Sequence, residues 1–300
     1  MRIAFLGTTG RFSRGVLGSI TEEHEVVLVG LADRRREHQA LKSRVAAGLR
    51  RLGLLLPLAR RVEINPDVIM PVRSGDDRLL LERLRRVLPD LICVAGFPWL
   101  LSAAVYSLPR FGAINVHGSL LPRHRGLMPL FWIYYHDDRE SGISLHRICD
   151  EADAGEIIAQ ERFEIPRGFP VDCLNEQNTR AAEKIIANVV QLIESGTNEF
   201  RMQDENLATA APRIRKGERY ADFASWDTER TWHFLAGLQA RYHEPLYMDG
   251  RLVTYESVVG YDVCSHVEKP GSLRVQAKSV TAYCHDGVVE LALPSRLCRS

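Results

Sequence analysis

Ala113-Ile114-Asn115-Val116-His117-Gly118-Ser119-Leu120-Leu121-Pro122-Arg123-His124-Arg125-Gly126 is the stretch around which the chain is organised. Its apolar start breaks at once into Gly118, Ser119 and Pro122, the pattern of a strand that ends in a tight loop. Side chains alternate along a strand, so Asn115 and His117 share one side of its end. Further along, Ser141 to Gln160 reads as a second apolar strand running into an acidic loop closed by Gly155, with Asp153 in that loop. An amide, an imidazole and a carboxylate so placed suit acyl transfer to an amine without a covalent enzyme intermediate. Asn115 and a protonated His117 would stabilise the oxyanion. Asp153 would hold His117 and raise its pKa, or relay the proton that the attacking amine must lose. Spacing alone leaves the other reading open, in which His117 is a hydrogen-bonded loop residue and no catalyst.

Outward from this stretch the chain reads as α/β. Arg2 to Leu6 is a strand, Gly7-Thr8-Thr9-Gly10 a turn and Phe12 to Leu17 the start of a helix; Glu25 to Leu31 is a second strand. The turn lacks the full G-x-G-x-x-G dinucleotide fingerprint. Its backbone N–H groups at a helix start remain suited to a phosphate or carboxylate, and a plain strand-to-helix turn fits as well. Between Arg34 and Arg61 stand eight arginines and Lys42 against one acid, Glu37. This is either a solvated helical face or a basic arm for a phosphate-bearing substrate or RNA. Asp67 to Met70 reads as a third strand, Asp77 to Leu88 as a helix, and Asp90 to Gly96 as a fully apolar strand of the kind found inside a parallel sheet. The fold expected is a doubly wound parallel domain. Trp132, Tyr134 and Tyr135, on a helix after Pro129, read as packing residues.

A helix over Leu174 to Ser195 stops at Gly196, and Asn206 to Tyr220 is polar, mildly basic and interrupted by Pro212 and Gly217, as linkers are. After a helix from Asp227 come short alternating runs at 252–255, 273–275, 280–284 and 288–291, separated by turns. They indicate a small all-β barrel or sandwich. The boundary is set between 1–203 and 204–300.

Composition bounds the function classes. Three hundred residues with 45% hydrophobic content can bury a sizeable core, and a net charge of +1 gives no global attraction to nucleic acid or membrane. The six cysteines are scattered without a C-x-x-C pair and read as reduced thiols of a cytoplasmic protein, with no metal cluster. No apolar run approaches the ~20 residues that span a bilayer, and Met1 leads straight into a strand rather than a signal peptide.

The string from Asn115 to Gly126, followed by Ala152-Asp153-Ala154-Gly155-Glu156-Ile157-Ile158, resembles the signature of the enzymes that transfer a formyl group from 10-formyltetrahydrofolate. The resemblance covers most of the chain and weakens between about residues 33 and 66. It implies that Asn115, His117 and Asp153 are the catalytic trio; no metal is expected. It further implies a Rossmann-like N-terminal formyltransferase domain followed by a small barrel of the oligonucleotide-binding (OB-like) kind. The implied folate contacts are Trp99, Leu101, Ile148, Cys149, Asp150, Glu151 and Ala152, in segments that wall the pterin pocket largely through backbone groups. Thr8, Thr9 and Gly10 become acceptor contacts, and Ser119 joins them as a residue that shapes the loop rather than reacts.

The second domain disfavours a single-domain glycinamide ribonucleotide enzyme. The glycine- and lysine-containing insertion of methionyl-tRNA formyltransferases is not found here. Ser144-Leu145-His146-Arg147 and Ile158-Ala159-Gln160 resemble the enzyme that formylates UDP-4-amino-4-deoxy-L-arabinose. The expected partner is therefore a small-molecule amine, an amino-sugar nucleotide or natural-product amine, with no membrane and with a homodimer allowed. Methionyl-tRNA formyltransferase is the alternative, bringing tRNA as partner. A non-catalytic RNA-binding relative is the second, against which the intact trio and near-neutral charge both count.

Overall fold

β4 (Leu91–Ala95) is buried at every residue, as an apolar strand flanked on both sides must be. The computed structural model that shows this describes residues 1–33, 64–215, 221–242, 246–248 and 251–294. The basic stretch Arg34 to Arg61 lies outside the described residues. With β1 (Arg2–Gly7), β2 (Glu25–Ala32), β3 (Ile69–Val72), β5 (Ala113–His117), β6 (Glu140–Arg147) and β7 (Ile157–Glu164), β4 builds a seven-stranded sheet in the order β3-β2-β1-β4-β5-β6-β7.

Strands β1 to β5 pair in parallel, but β6 runs antiparallel to β5. The sheet is mixed, which corrects the expectation of a purely parallel one. The connection supplies the reason, since a parallel return needs a crossover helix packed on the sheet, whereas the helix within it, α4 (Pro129–Tyr135), buries Leu130, Phe131 and Ile133 in a cluster with Trp226 and Phe234.

Of the other helices, α1 (Arg11–Thr21) follows β1 and α2 (Arg78–Val87) follows β3; a single turn, α3 (Ala103–Tyr106), and the long α5 (Val171–Ser195) come later. The Asp77 carboxylate caps α2 by accepting from the N–H groups of Leu79 and Leu80 at 2.9 and 3.3 Å.

The described chain sorts into two compact units, and neither is one continuous stretch. Unit 1 comprises residues 1–126, 142–162 and 176–210; unit 2 comprises 127–141, 163–175 and 211–300. Unit 1 packs Leu6, Leu28, Ile92, Val94, Leu101 and Ala113 into one cluster. In unit 2, Phe131, Trp226, Phe234 and Leu291 share a core with Trp132 and Tyr134. The Trp132 indole donates to the Pro212 carbonyl at 2.8 Å and the Tyr134 hydroxyl to that of Phe169, so both rings are packing residues with their polar ends satisfied.

Unit 2 also holds α6 (Thr228–Tyr242) and a four-stranded antiparallel sheet, β10-β13-β12-β11, made of β10 (Ser257–Val263), β11 (Leu273–Val275), β12 (Ser279–Tyr283) and β13 (Gly287–Ala292). A separate ribbon pairs β8 (Leu246–Met248) with β9 (Arg251–Val253). Pairings that would close the expected barrel are not among those of the described residues.

Fully buried His233 accepts at Nδ1 from the Gly168 N–H at 2.9 Å and stacks on Tyr134. Burial first, then Arg167, pushes its pKa down to about 4 from 6.5. The unfolded chain therefore takes a proton on His233 as pH falls below 6.5 while the folded chain does not, so stability must fall with pH across that window. Urea unfolding should show up to about 3 kcal/mol lost between pH 6.5 and 4 that His233→Gln does not lose; parallel curves for the two proteins would refute this.

Candidate active site

The register of β5 against β6 explains how the reactive side chains meet. Asn115 lies opposite His146 and His117 opposite Ser144, so alternation turns all four to one face of the sheet. The loop after β6 then returns Asp153 to that face. Asp153 sits in the left-handed region with φ +54, an uncommon conformation for a residue with a side chain.

Its carboxylate is where the site converges. Oδ1 accepts from Asn115 Nδ2 at 3.1 Å, Oδ2 accepts from the Gly126 N–H at 2.8 Å, and His117 Nδ1 faces Oδ2 at 3.6 Å. The structure thus brings together Asn115, His117 and Asp153, and adds a residue that the sequence reading did not single out as reactive. His146, 1% exposed, places Nε2 at 3.1 Å from Asn115 Nδ2 and 3.4 Å from Asp153 Oδ1. Its signal was available in the Ser144-x-His146 alternation within an otherwise apolar strand.

Hydrogen-bond chemistry assigns the tautomers, because a carbonyl can only accept. His117 Nε2 lies 2.9 Å from the His124 carbonyl and therefore carries a hydrogen, leaving Nδ1 as the nitrogen that exchanges a proton. His146 Nδ1 lies 2.8 Å from the Arg147 carbonyl and donates to it, so Nε2 accepts one of the two Asn115 amide hydrogens.

Burial is the largest influence on His117 and lowers its pKa, against the opposing effect of Asp153. Asp153 raises it, as expected, but desolvation of a 6% exposed ring outweighs a carboxylate 3.6 Å away, which corrects the expectation of a protonated His117. Burial works against the Asp153 charge too, but His117, His146 and the Gly126 N–H together hold this carboxyl below the usual range. The resting pair is an ionised Asp153 beside a neutral His117.

The remaining candidates fall into two groups. Leu101 is 6% exposed and shares a core cluster with Phe97, Tyr106 and Ile148, so its side chain is spent on packing. Its neighbour Leu100 is 66% exposed. Phe97 and Trp99 meet edge to face at 5.2 Å, and Tyr106 donates to Asp150 at 2.6 Å, which joins this segment to the loop of Ile148, Cys149, Asp150, Glu151 and Ala152. Cys149 donates to the Glu151 carbonyl.

Thr8, Thr9 and Gly10 stand at the head of α1, where Thr8 bonds Ser13 and Ser13 donates to the Ala95 carbonyl at the end of β4. Ser119 is fully buried and donates to the Arg123 carbonyl at 2.7 Å, so its hydroxyl is spent on the loop. Among the described residues no group of three or more His, Cys, Asp or Glu is placed to hold a metal ion, no helix is long and apolar enough to cross a membrane, and the five described cysteines are free.

Comparison with known proteins adds four findings. The family model for formyl transferase matches residues 1–190. The chain is 33% identical over 224 residues to a methionyl-tRNA formyltransferase of Thermotoga maritima, covering 75% of this chain and 68% of that protein. Among solved structures, the sugar 3N-formyl transferase WlaRD, determined in the presence of dTDP and 5-N-formyl-THF, superimposes with a TM-score of 0.64 at 15% identity over 98% of this chain and 97% of that one. HypX from Aquifex aeolicus, in complex with tetrahydrofolic acid, reaches 0.62 at 20% identity over 97% of this chain, which spans 43% of the length of that protein.

Proposed function

This chain belongs to the formyl transferase family, whose model covers residues 1–190 of its 300, and on that premise we propose that it moves a formyl group from 10-formyltetrahydrofolate to a primary amine of a small acceptor. It is an N-formyltransferase, and the amine we assign to it is that of an amino-sugar nucleotide or a natural product. The observation that carries the reading is the convergence of Asn115, His117 and His146 on the Asp153 carboxylate.

The donor supplies the formyl carbon and departs as tetrahydrofolate. The acceptor nitrogen bonds to that carbon with its lone pair and must then lose a proton. Neutral His117 takes it at Nδ1, and Asp153 stabilises the imidazolium so formed. Asn115 offers the carbonyl oxygen one of the amide hydrogens it now gives to Asp153 and His146, which stabilises the oxyanion. The proton held on Nδ1 is then available to the departing donor nitrogen. We assign the pterin to the segment of Trp99 and Leu101 and to residues 148–152, which the hydrogen bond from Tyr106 to Asp150 joins.

Ser144 to Arg147 and the near-neutral charge favour a small amine. The 33% identity to a methionyl-tRNA formyltransferase supports a second reading, in which the acceptor is charged initiator tRNA. The deciding assay is tetrahydrofolate release from 10-formyltetrahydrofolate with amino-sugar nucleotides in one arm and methionyl-tRNA in the other. Turnover with tRNA alone would replace the small-amine reading, and turnover in neither arm would remove formyl transfer to both.

The neutral His117 also sets a pH dependence. Because burial keeps its pKa below 6.5, the proton-accepting form survives mild acid. kcat at saturating substrates should be level near neutrality and fall only below 6.5, with a one-proton slope. An acid limb centred above 6.5 would contradict the assignment of His117 as a buried base.

A further inference from the structure

We propose that residues 201–210 are a strap that positions the reactive pair, with Gln203 and Thr209 as positioning residues for Asp153 and His117. The proposal rests on the functional reading above and extends it to a segment that reads in sequence as the approach to a linker. The strap begins as an antiparallel bridge, in which Arg201 and Ile157 exchange backbone hydrogen bonds at 2.8 Å in both directions. Gln203, 9% exposed, then donates from Nε2 to the carbonyls of Asp153 and Gly155 at 2.8 and 2.6 Å.

The orientation of that amide is forced. Arg125 donates to Gln203 Oε1 through Nε and Nη2 at 3.1 and 2.9 Å, and its guanidinium is held in turn by Glu205. Arginine only donates, so Oε1 must face Arg125 and Nε2 must face the two carbonyls. A residue at φ +54 keeps such a conformation only where its surroundings over-determine it, and Gln203 holds its carbonyl and that of Gly155.

The far end of the strap holds the histidine. Thr209 Oγ1 accepts from the His124 N–H at 2.8 Å, Thr209 N–H donates to the Pro122 carbonyl at 3.2 Å, and the Thr209 carbonyl accepts from the Arg125 N–H at 2.8 Å. His124 is the residue whose carbonyl accepts from His117 Nε2. One short segment therefore grips the peptide that aims His117 and the loop that aims Asp153, and with them the 3.6 Å separation of the pair. Small misplacements of such pairs are costly, up to about a hundredfold in rate for 1 Å.

The test uses the full chain with Gln203→Met, which keeps volume and loses both donors, and Thr209→Val, which keeps shape and loses the hydroxyl. Each should lower kcat by roughly tenfold or more, with a smaller change in KM. Gln203→Met should also move the acid limb of kcat to lower pH, because a loosened Asp153 no longer supports the charged form of His117. A merely structural role would lower thermal stability and leave the acid limb where it was.

In an Asp153→Asn background Gln203→Met should cost little more. A full additional tenfold loss there, or wild-type kcat in Gln203→Met alone, overturns the proposal. Amide hydrogen exchange supplies a readout free of catalysis: exchange across 151–156 should rise about tenfold in Gln203→Met, and unchanged exchange refutes the strap. Failure of the wild-type protein to use a formyl donor would instead refute the functional reading and leave the exchange result to decide the strap.

Discussion

His117→Ala should lower kcat by about two orders of magnitude or more, with KM for the formyl donor changed far less. The loss follows from the positions of the ring nitrogens. Nε2 is committed to the His124 carbonyl at 2.9 Å, so Nδ1 is the proton acceptor, and alanine leaves the ammonium proton of the new C–N bond without it. Asp153→Asn should cost a similar factor by a different route. The amide cannot stabilise an imidazolium, and one of its two polar atoms would present N–H groups where Asp153 now accepts from Asn115 and from Gly126. Because the two residues act as a unit, the double variant should cost little more than either single one. Single-turnover formyl transfer with each purified variant measures this, and near-wild-type turnover in either would sink the assignment of the trio.

Gly155→Ala carries the other large effect. A Cβ at this buried position would lie 1.9 Å from the Arg147 carbonyl oxygen and 2.8 Å from its carbon, and backbone cannot swing aside as a side-chain tip can. The same carbonyl orients His146 through Nδ1 at 2.8 Å, and the Arg147 N–H donates to the Glu156 carbonyl at 2.9 Å. Relief of the clash must open the end of β6 or the Asp153 loop, and either separates Asp153 from Asn115 and His146. About 3 kcal/mol of stability should be lost, read by urea unfolding, and the folded fraction should turn over roughly a hundredfold more slowly. Gly196→Ala is the control. Its φ is +70 with nothing within 4 Å of the added carbon, so it should cost about 1 kcal/mol and leave kcat unchanged. Equal behaviour of the two variants would refute a steric role for Gly155.

The parts of this molecule legible in its sequence are those that local chemistry dictates. Asn115 and His117 fall on one face by strand alternation, and the break at Gly118 marks where that face ends. The apolar run of β4 announces its buried place, and Asp77 announces the start of α2. His146 was legible in principle but needs the antiparallel register of β5 and β6, which depends on a long-range pairing. The lowered pKa of His117 was out of reach for a similar reason, since it depends on how much protein covers the ring and not on the identity of its neighbour. Gln203 offered least, because a glutamine in a polar stretch gains its role only when Arg125 and the Asp153 loop are brought to it from distant parts of the chain.

The interleaving of the two units has a consequence for anyone who would dissect this protein. The apolar side chains of Leu130, Phe131 and Ile133, with those of Val171 and Leu174, belong to the core of unit 2, yet lie upstream of much of unit 1. A fragment ending anywhere between 190 and 210 would keep these residues and lose Trp226, Phe234 and Leu291, with which they pack, leaving a greasy remnant prone to precipitate. The catalytic unit is thus no cassette that recombination could lift out and graft elsewhere by two cuts. Chimeras made at such a junction should come out insoluble.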